Sequence, residues 1–248
     1  MTSAEGFRFA DDPLSAPVFT PAADTAPAAV CRGVDKTYRT ATELVPALVD
    51  VTLAIPRAQV TVVVGPSGSG KSSLLRLLAC IDSPDAGEVL VAGQRVDRLR
   101  PRARRRLRQR QVAYLFQRPG ENLLPYLDAV AQIRLAAALR GAPVPTAETL
   151  DLLDRLGLRD RADHRPEQLS GGEQQRLAVA CAVVGAPALV VADEPTAELD
   201  TAAADQVLAA MEDLAAAGVG FVLSSHDPRV MAIADGFVRL DHGRLVTA

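Results

Sequence analysis

Residues 60–80 read VTVVVGPSGSGKSSLLRLLAC. The run 60–64 is almost continuously apolar, the pattern of a strand covered on both faces of a parallel sheet. Gly65-Pro66-Ser67-Gly68-Ser69-Gly70-Lys71-Ser72 follows and fits GxxxxGK[ST]. An amphipathic run, 73–80, comes next. A glycine-rich turn between such a strand and such a helix is a phosphate cradle. Successive backbone N–H groups converge on phosphate oxygens, and the helix N-terminus adds its partial positive charge. Lys71 is suited to bridge the β- and γ-phosphates, and the Ser72 hydroxyl to ligate Mg²⁺. Lys36 and Lys71 are the only lysines among 27 basic residues. A chain that otherwise uses arginine keeps a lysine where a compact, flexible point charge is wanted.

Outward from this stretch, short β-rich runs at 48–55, 88–91 and 112–116 alternate with helical segments. Others follow at 189–192, 220–224, 237–240 and 244–246. Together they predict an α/β fold. Between 127 and 169 strand signal vanishes, and Ala- and Leu-rich segments at 129–140 and 147–156 predict a helical subdomain set into the core. A buried strand, 188–192, ends in Asp193 and Glu194, and strand C-termini are where ligands bind in open α/β sheets. Asp193 suits a hard cation; Glu194 could orient and deprotonate an attacking water. A second apolar strand, 220–225, runs into His226, which at that position becomes a γ-phosphate contact. His164 and His242 lack such a setting.

Leu169-Ser170-Gly171-Gly172-Glu173-Gln174-Gln175-Arg176 places a hydroxyl and two glycines at the start of a helix over 173–184, a second anion-binding helix terminus. One nucleotide needs one cradle, so a second implies a triphosphate held between two surfaces. This segment strongly resembles the LSGGQ signature of ABC-type ATPases, in an LSGGE form, and the resemblance to that family covers nearly all of 30–245. The resemblance implies a P-loop ATPase fold: a mixed-sheet α/β core over 30–117 and 186–248 with an N-terminal antiparallel part, and a helical signature subdomain over 118–185. It places Tyr38 where an aromatic stacks on adenine; a tyrosine of a core strand is the plainer alternative. It makes Gln117 the Q-loop glutamine that touches Mg²⁺ and links to a membrane partner, and Asp200 the D-loop aspartate. It implies ATP and Mg²⁺ as ligands, and a head-to-tail homodimer in which the phosphate loop of one copy faces Ser170, Gly171 and Gly172 of the other. Ser73 stands where the family uses threonine, inside the same cradle.

Asn122-Leu123-Leu124-Pro125 and His164-Arg165-Pro166 resemble the MacB/LolD/FtsE-type branch, whose permease would dock near residues 117–127. That branch implies export, or mechanotransmission to an extracytoplasmic enzyme, from the inner face of the cell membrane. Arg118-Pro119-Gly120-Glu121 lengthens the Q-loop and Glu198 makes the D-loop more acidic than the family pattern.

Composition excludes other classes. Hydrophobic residues make up 48% and charged residues 23%, which suits a globular chain. A net charge of −3 speaks against wholesale nucleic-acid coating. A soluble DNA- or ribosome-directed ABC ATPase would need a coiled coil or a second ATPase domain, and a GTPase an Asn-Lys-x-Asp motif; the chain has neither. Cys31, Cys80 and Cys181 form no CxxC pair and read as reduced thiols of a cytoplasmic protein. Residues 1–29, rich in Pro, Ala and Asp, read as a flexible leader without the marks of a signal peptide. RLRPRARRRLRQR at 98–110 reads first as a solvated helix face whose arginines pair with acidic neighbours, and second as a contact for anionic lipid.

Overall fold

The computed structural model describes residues 26–40 and 43–246; most of the expected leader lies outside them. Ten strands and seven α-helices follow in the order β1 (Ala29–Arg39), β2 (Leu44–Ile55), β3 (Val60–Val64), α1 (Lys71–Leu78), β4 (Ala86–Val91), β5 (Gln94–Arg95), α2 (Pro101–Gln111) and β6 (Val112–Leu115). Then come α3 (Ala129–Arg140), α4 (Thr146–Arg155), α5 (Gly171–Val183), β7 (Leu189–Asp193), α6 (Thr201–Ala216), β8 (Gly220–Ser224), α7 (Pro228–Ala232), β9 (Gly236–Asp241) and β10 (Arg244–Leu245). No helix among the described residues is long and apolar enough to cross a membrane.

The strands form two sheets. A six-stranded sheet runs β10-β9-β3-β8-β7-β6, parallel except for the edge hairpin β9–β10. A four-stranded antiparallel sheet runs β2-β1-β4-β5. The apolar runs of the central strands follow from this layering. Side chains alternate across a strand, and here each face of the six-stranded sheet feeds its own core. Val62, Val64, Val190, Ala192, Phe221 and Leu223 enter the core shared with α3, α5 and α6. Val63, Leu189, Val191 and Val222 enter the core shared with the antiparallel sheet and α1. A strand buried on both sides has no polar alternate, so β3, β7 and β8 read as unbroken runs.

Strand β1 carries no such signal in the sequence. Its pairing with β2 shifts register between Cys31 and Val34, between Val34 and Lys36, and between Lys36 and Thr37. Each irregularity resets which face a side chain meets, so period-2 alternation fails over Ala29–Arg39.

Candidate functional site

Strand β3 delivers the chain to the loop 65–72 at the C-terminal edge of the parallel sheet. The N-cap of α1 is Gly70, with φ of 101°, and a Cβ there would lie 2.3 Å from the Ala47 carbonyl oxygen. Only glycine meets both demands. No side chain caps α1 and its first turn holds no acid, so its leading N–H groups are left for a ligand. By contrast, Asp128, Ser170, Asp200 and Asp227 cap α3, α5, α6 and α7. The Ser69 hydroxyl is buried in the loop, without a partner among the described residues. Lys71 folds back over the cradle, its Nζ donating to the carbonyls of Gly65 (2.7 Å) and Pro66 (3.0 Å). Pro66, Ser67 and Gly68 form the exposed lip.

The ends of β7 and β8 meet this loop. Ser72 Oγ donates to Asp193 Oδ2 at 2.9 Å, so the two proposed Mg²⁺ ligands lie side by side. Two hard oxygen donors beside a phosphate cradle are the donor set that Mg²⁺ takes, with substrate phosphate and water filling the rest. Ser224 Oγ donates to the other Asp193 oxygen. Glu194 has a positive φ of 49°; its N–H donates to the Ser224 carbonyl (3.0 Å) and its Oε2 accepts from Ser225 Oγ (3.1 Å). The Ser225 hydroxyl in turn accepts from the Asp227 N–H at 3.1 Å. Ser224 and Ser225 thus hold both carboxylates, a role that residue type and spacing do not announce. His226 is the next residue, exposed at the end of β8, with no hydrogen bond among the described residues.

Gln117 is likewise exposed, one residue beyond Phe116 at the end of β6. Its loop is pinned by Asn122, whose Oδ1 accepts from the Phe116 N–H (2.8 Å) and whose Nδ2 donates to the carbonyls of Phe116 (3.1 Å) and Arg118 (3.2 Å). The lengthened segment folds as a 3₁₀ turn, Pro119–Asn122, with Pro119 buried against α5. The two departures in Q-loop and D-loop meet: Arg118 Nε lies 3.4 Å from Glu198 Oε1.

Tyr38, in β1, is half-buried, and its hydroxyl donates to Asp82 Oδ2 at 2.8 Å. Arg76 grips the same carboxylate through Nε (2.8 Å) and a terminal nitrogen (3.2 Å), which holds Asp82 below the usual carboxylate range. Burial, then the Asp82 hydrogen bond, pushes the phenol up. Ser73 is a further hydrogen-bond partner of that phenol. Lys36 Nζ sits 5.3 Å over the ring.

The signature residues stand elsewhere. Ser170 caps α5 in a reciprocal box: its Oγ accepts from the Glu173 N–H (3.2 Å) and its own N–H donates to Glu173 Oε2 (2.8 Å). Arg161 Nε pairs with the other Glu173 oxygen at 3.0 Å. The backbone bond to Ser170, then Arg161, outweighs desolvation and lowers the Glu173 carboxyl. A Cβ on Gly172 would lie 2.6 Å from that of Ala203, so glycine lets α5 approach α6 closely. Asp200 caps α6 from the same corner, accepting from the Ala203 N–H at 2.9 Å. Among the described residues no hydrogen bond joins Ser170, Gly171, Gly172 or Asp200 to the loop 65–72.

A family model described as "ABC transporter" matches residues 48–197, and the chain belongs to that family, as one of its nucleotide-binding ATPase cassettes. It is 40% identical over 223 residues to the "Macrolide export ATP-binding/permease protein MacB 1/2" of Paracoccus denitrificans (strain Pd 1222), covering 89% of this chain and 33% of that protein. It is 37% identical over 215 residues to a MacB of Salmonella choleraesuis (strain SC-B67), covering 86% and 33%. The chain thus spans about a third of the length of the curated relatives it matches. A solved dimer of the ATP-binding cassette MJ0796, in a post-hydrolysis state bound to ADP and Pi, superposes with a TM-score of 0.77 at 30% identity, over 88% of this chain and 96% of that one.

Proposed function

We propose that this chain is the ATP-hydrolysing motor of a MacB-type export system, working as a head-to-tail homodimer on the cytoplasmic face of a membrane permease. The observation that carries the reading is the convergence of Lys71 and Ser72 with Asp193 and Glu194 at one edge of the sheet. The N-terminus of α1 and Lys71 hold the β- and γ-phosphates, and Tyr38 supports the adenine. Ser72, Asp193 and Gln117 would hold Mg²⁺, which supplies charge neutralisation at the phosphates. Glu194 accepts a proton from the water that attacks the γ-phosphorus while the bond to the ADP oxygen breaks, and His226 contacts the transferred group. Ser170, Gly171 and Gly172 of a second copy complete the cradle around the γ-phosphate, and Asp200 lies at the same seam. ATP then joins two surfaces and hydrolysis removes the join.

The permease reading is supported by where apolar side chains stay uncovered. Of eight large hydrophobic residues exposed among the described residues, five (Phe116, Leu124, Tyr126, Leu135 and Leu139) fall within 116–139. Phe116 and Leu139 line one cleft, contiguous exposed apolar surface marks an interaction site, and the Q-loop opens that segment.

The test is steady-state ATP hydrolysis with Mg²⁺ in wild type and Glu194→Gln. Loss of the base should lower turnover by about 10² to 10⁴ while ATP still binds. Equal rates would remove Glu194 from the role.

A further inference from the structure

Eight arginines stand within 98–110. Helix α2 buries one side chain, Leu107, and Arg104 and Arg108 flank it half-buried. Arg98, Arg100, Arg102, Arg105, Arg106 and Arg110 are exposed. The sequence reading of arginines paired with acidic neighbours does not describe this helix. Every ion pair among the described residues falls on other cations, and none of the eight lies within 4 Å of a carboxylate oxygen of a described residue. Among the described residues, the one polar bond made by their side chains runs from Arg108 to the Cys80 carbonyl, at 2.9 Å. Arg102, Arg106 and Arg110 follow an i, i+4 row with Arg105 beside it, so their charges share a face.

The location of this face narrows its partner. A cleft of about 500 Å³ has Arg105, Arg108 and Gln109 on one bank and Phe116, Asn122 and Leu139 among its other lining. Through Arg105 the arginine face therefore borders the two ends of the apolar segment, Phe116 and Leu139. Guanidinium groups are forks that chelate phosphate oxygens and shed water more readily than ammonium does. The rest of the chain is net acidic, so it repels a long polyanion while the patch attracts a planar anionic surface.

We propose that the arginine face of α2 is a landing surface for the phosphate headgroups of anionic phospholipid in the leaflet around the permease. The orientation rests on the docking reading of 116–139; the charge argument does not. Docking of 116–139 against a membrane protein turns the adjoining α2 toward the headgroup layer, where each arginine adds to adhesion and salt screens it.

The experiment is co-sedimentation of the full chain with vesicles of pure phosphatidylcholine, and with vesicles in which about a third of the lipid is phosphatidylglycerol. Binding is expected to the second kind alone, weakening as salt rises from about 0.1 to 0.5 M. Arg102→Gln/Arg105→Gln/Arg106→Gln should bind more weakly by about fivefold per arginine. The matching triple lysine variant should retain binding, which separates charge from folding. ATP hydrolysis in the same samples should stay at the wild-type rate in both variants, so failure of the motor reading would appear as absent turnover with lipid binding intact. Equal binding to both vesicles, or by the glutamine variant, would overturn the proposal. So would displacement of the protein from vesicles by duplex DNA at matched phosphate concentration, which would assign the face to nucleic acid.

Discussion

The carboxylates at the end of β7 owe their positions to two hydroxyls. Ser224 and Ser72 bind opposite oxygens of Asp193, and Ser225 binds Glu194. Glu194 is held at a positive φ, a conformation that costs a non-glycine residue about 1–3 kcal/mol and needs fixing from outside. Ser225→Ala should therefore lower turnover by roughly tenfold with little change in KM for ATP, because Ser225 holds the carboxylate proposed as the base and has no proposed role in binding the nucleotide. A KM increase with unchanged turnover would place Ser225 in nucleotide binding instead. The sequence shows Asp193, Glu194 and His226 by their place at strand ends. It does not show Ser224, Ser225 or Asp82, since a serine or aspartate that props another side chain carries no motif of its own; Asn122 it shows only as part of the run 122–125, not as the pin of the Gln117 loop. Tyr38 shows the same limit: its position suggests a stacking surface, while the Arg76–Asp82 clamp behind its hydroxyl comes from residues some forty positions on.

Among elements, legibility followed burial. Strands covered on both faces, β3 and β8, stand at the residues their apolar runs mark, and α3 fills the predicted 129–140. The bulged β1 and the two-residue β5 left no periodic trace. Helix α2 was legible as a charged helix, but its lack of acidic partners was not, because pairing depends on which carboxylates the fold brings near. The corner of α5 and α6 is equally hidden in the sequence. There Gly172 serves contact between helices as well as the signature loop, and Gly172→Ala forces its Cβ against Ala203. Overpacking of this kind costs about 1–3 kcal/mol, to be read as a lower denaturant midpoint at unchanged m-value. An unchanged midpoint would show that the α5–α6 approach is looser than described.

For the whole molecule, the titrating groups define a stability plateau. Asp82, Asp85, Asp97, Glu173 and Asp227 all have lowered carboxyl pKa values, held down by arginine, lysine and backbone N–H partners. A depressed folded pKa contributes stability above the unfolded value, and that stability is lost as pH falls through the folded one. Unfolding temperature should thus drop once pH passes below the ordinary carboxylate values of 3.8 and 4.5. At the alkaline end, burial pushes the thiols of Cys31, Cys80 and Cys181 from 9.0 up to about 12. A raised folded pKa gives stability that is full below the unfolded value and lost between the two, so the plateau should end near 9. A Tm profile that kept rising above that point would contradict the assignment.

The nucleotide cradle is proposed to be divided between two copies, and within the chain the loop 65–72 and the α5 cap make no hydrogen bond to each other. Light scattering of Glu194→Gln with ATP and Mg²⁺ tests it most directly. The expected mass is near twice 26.2 kDa with ATP, the monomer mass without it, and the monomer mass for Glu194→Gln/Ser170→Arg even though that protein still binds ATP. A double variant that dimerises with ATP would contradict the shared site.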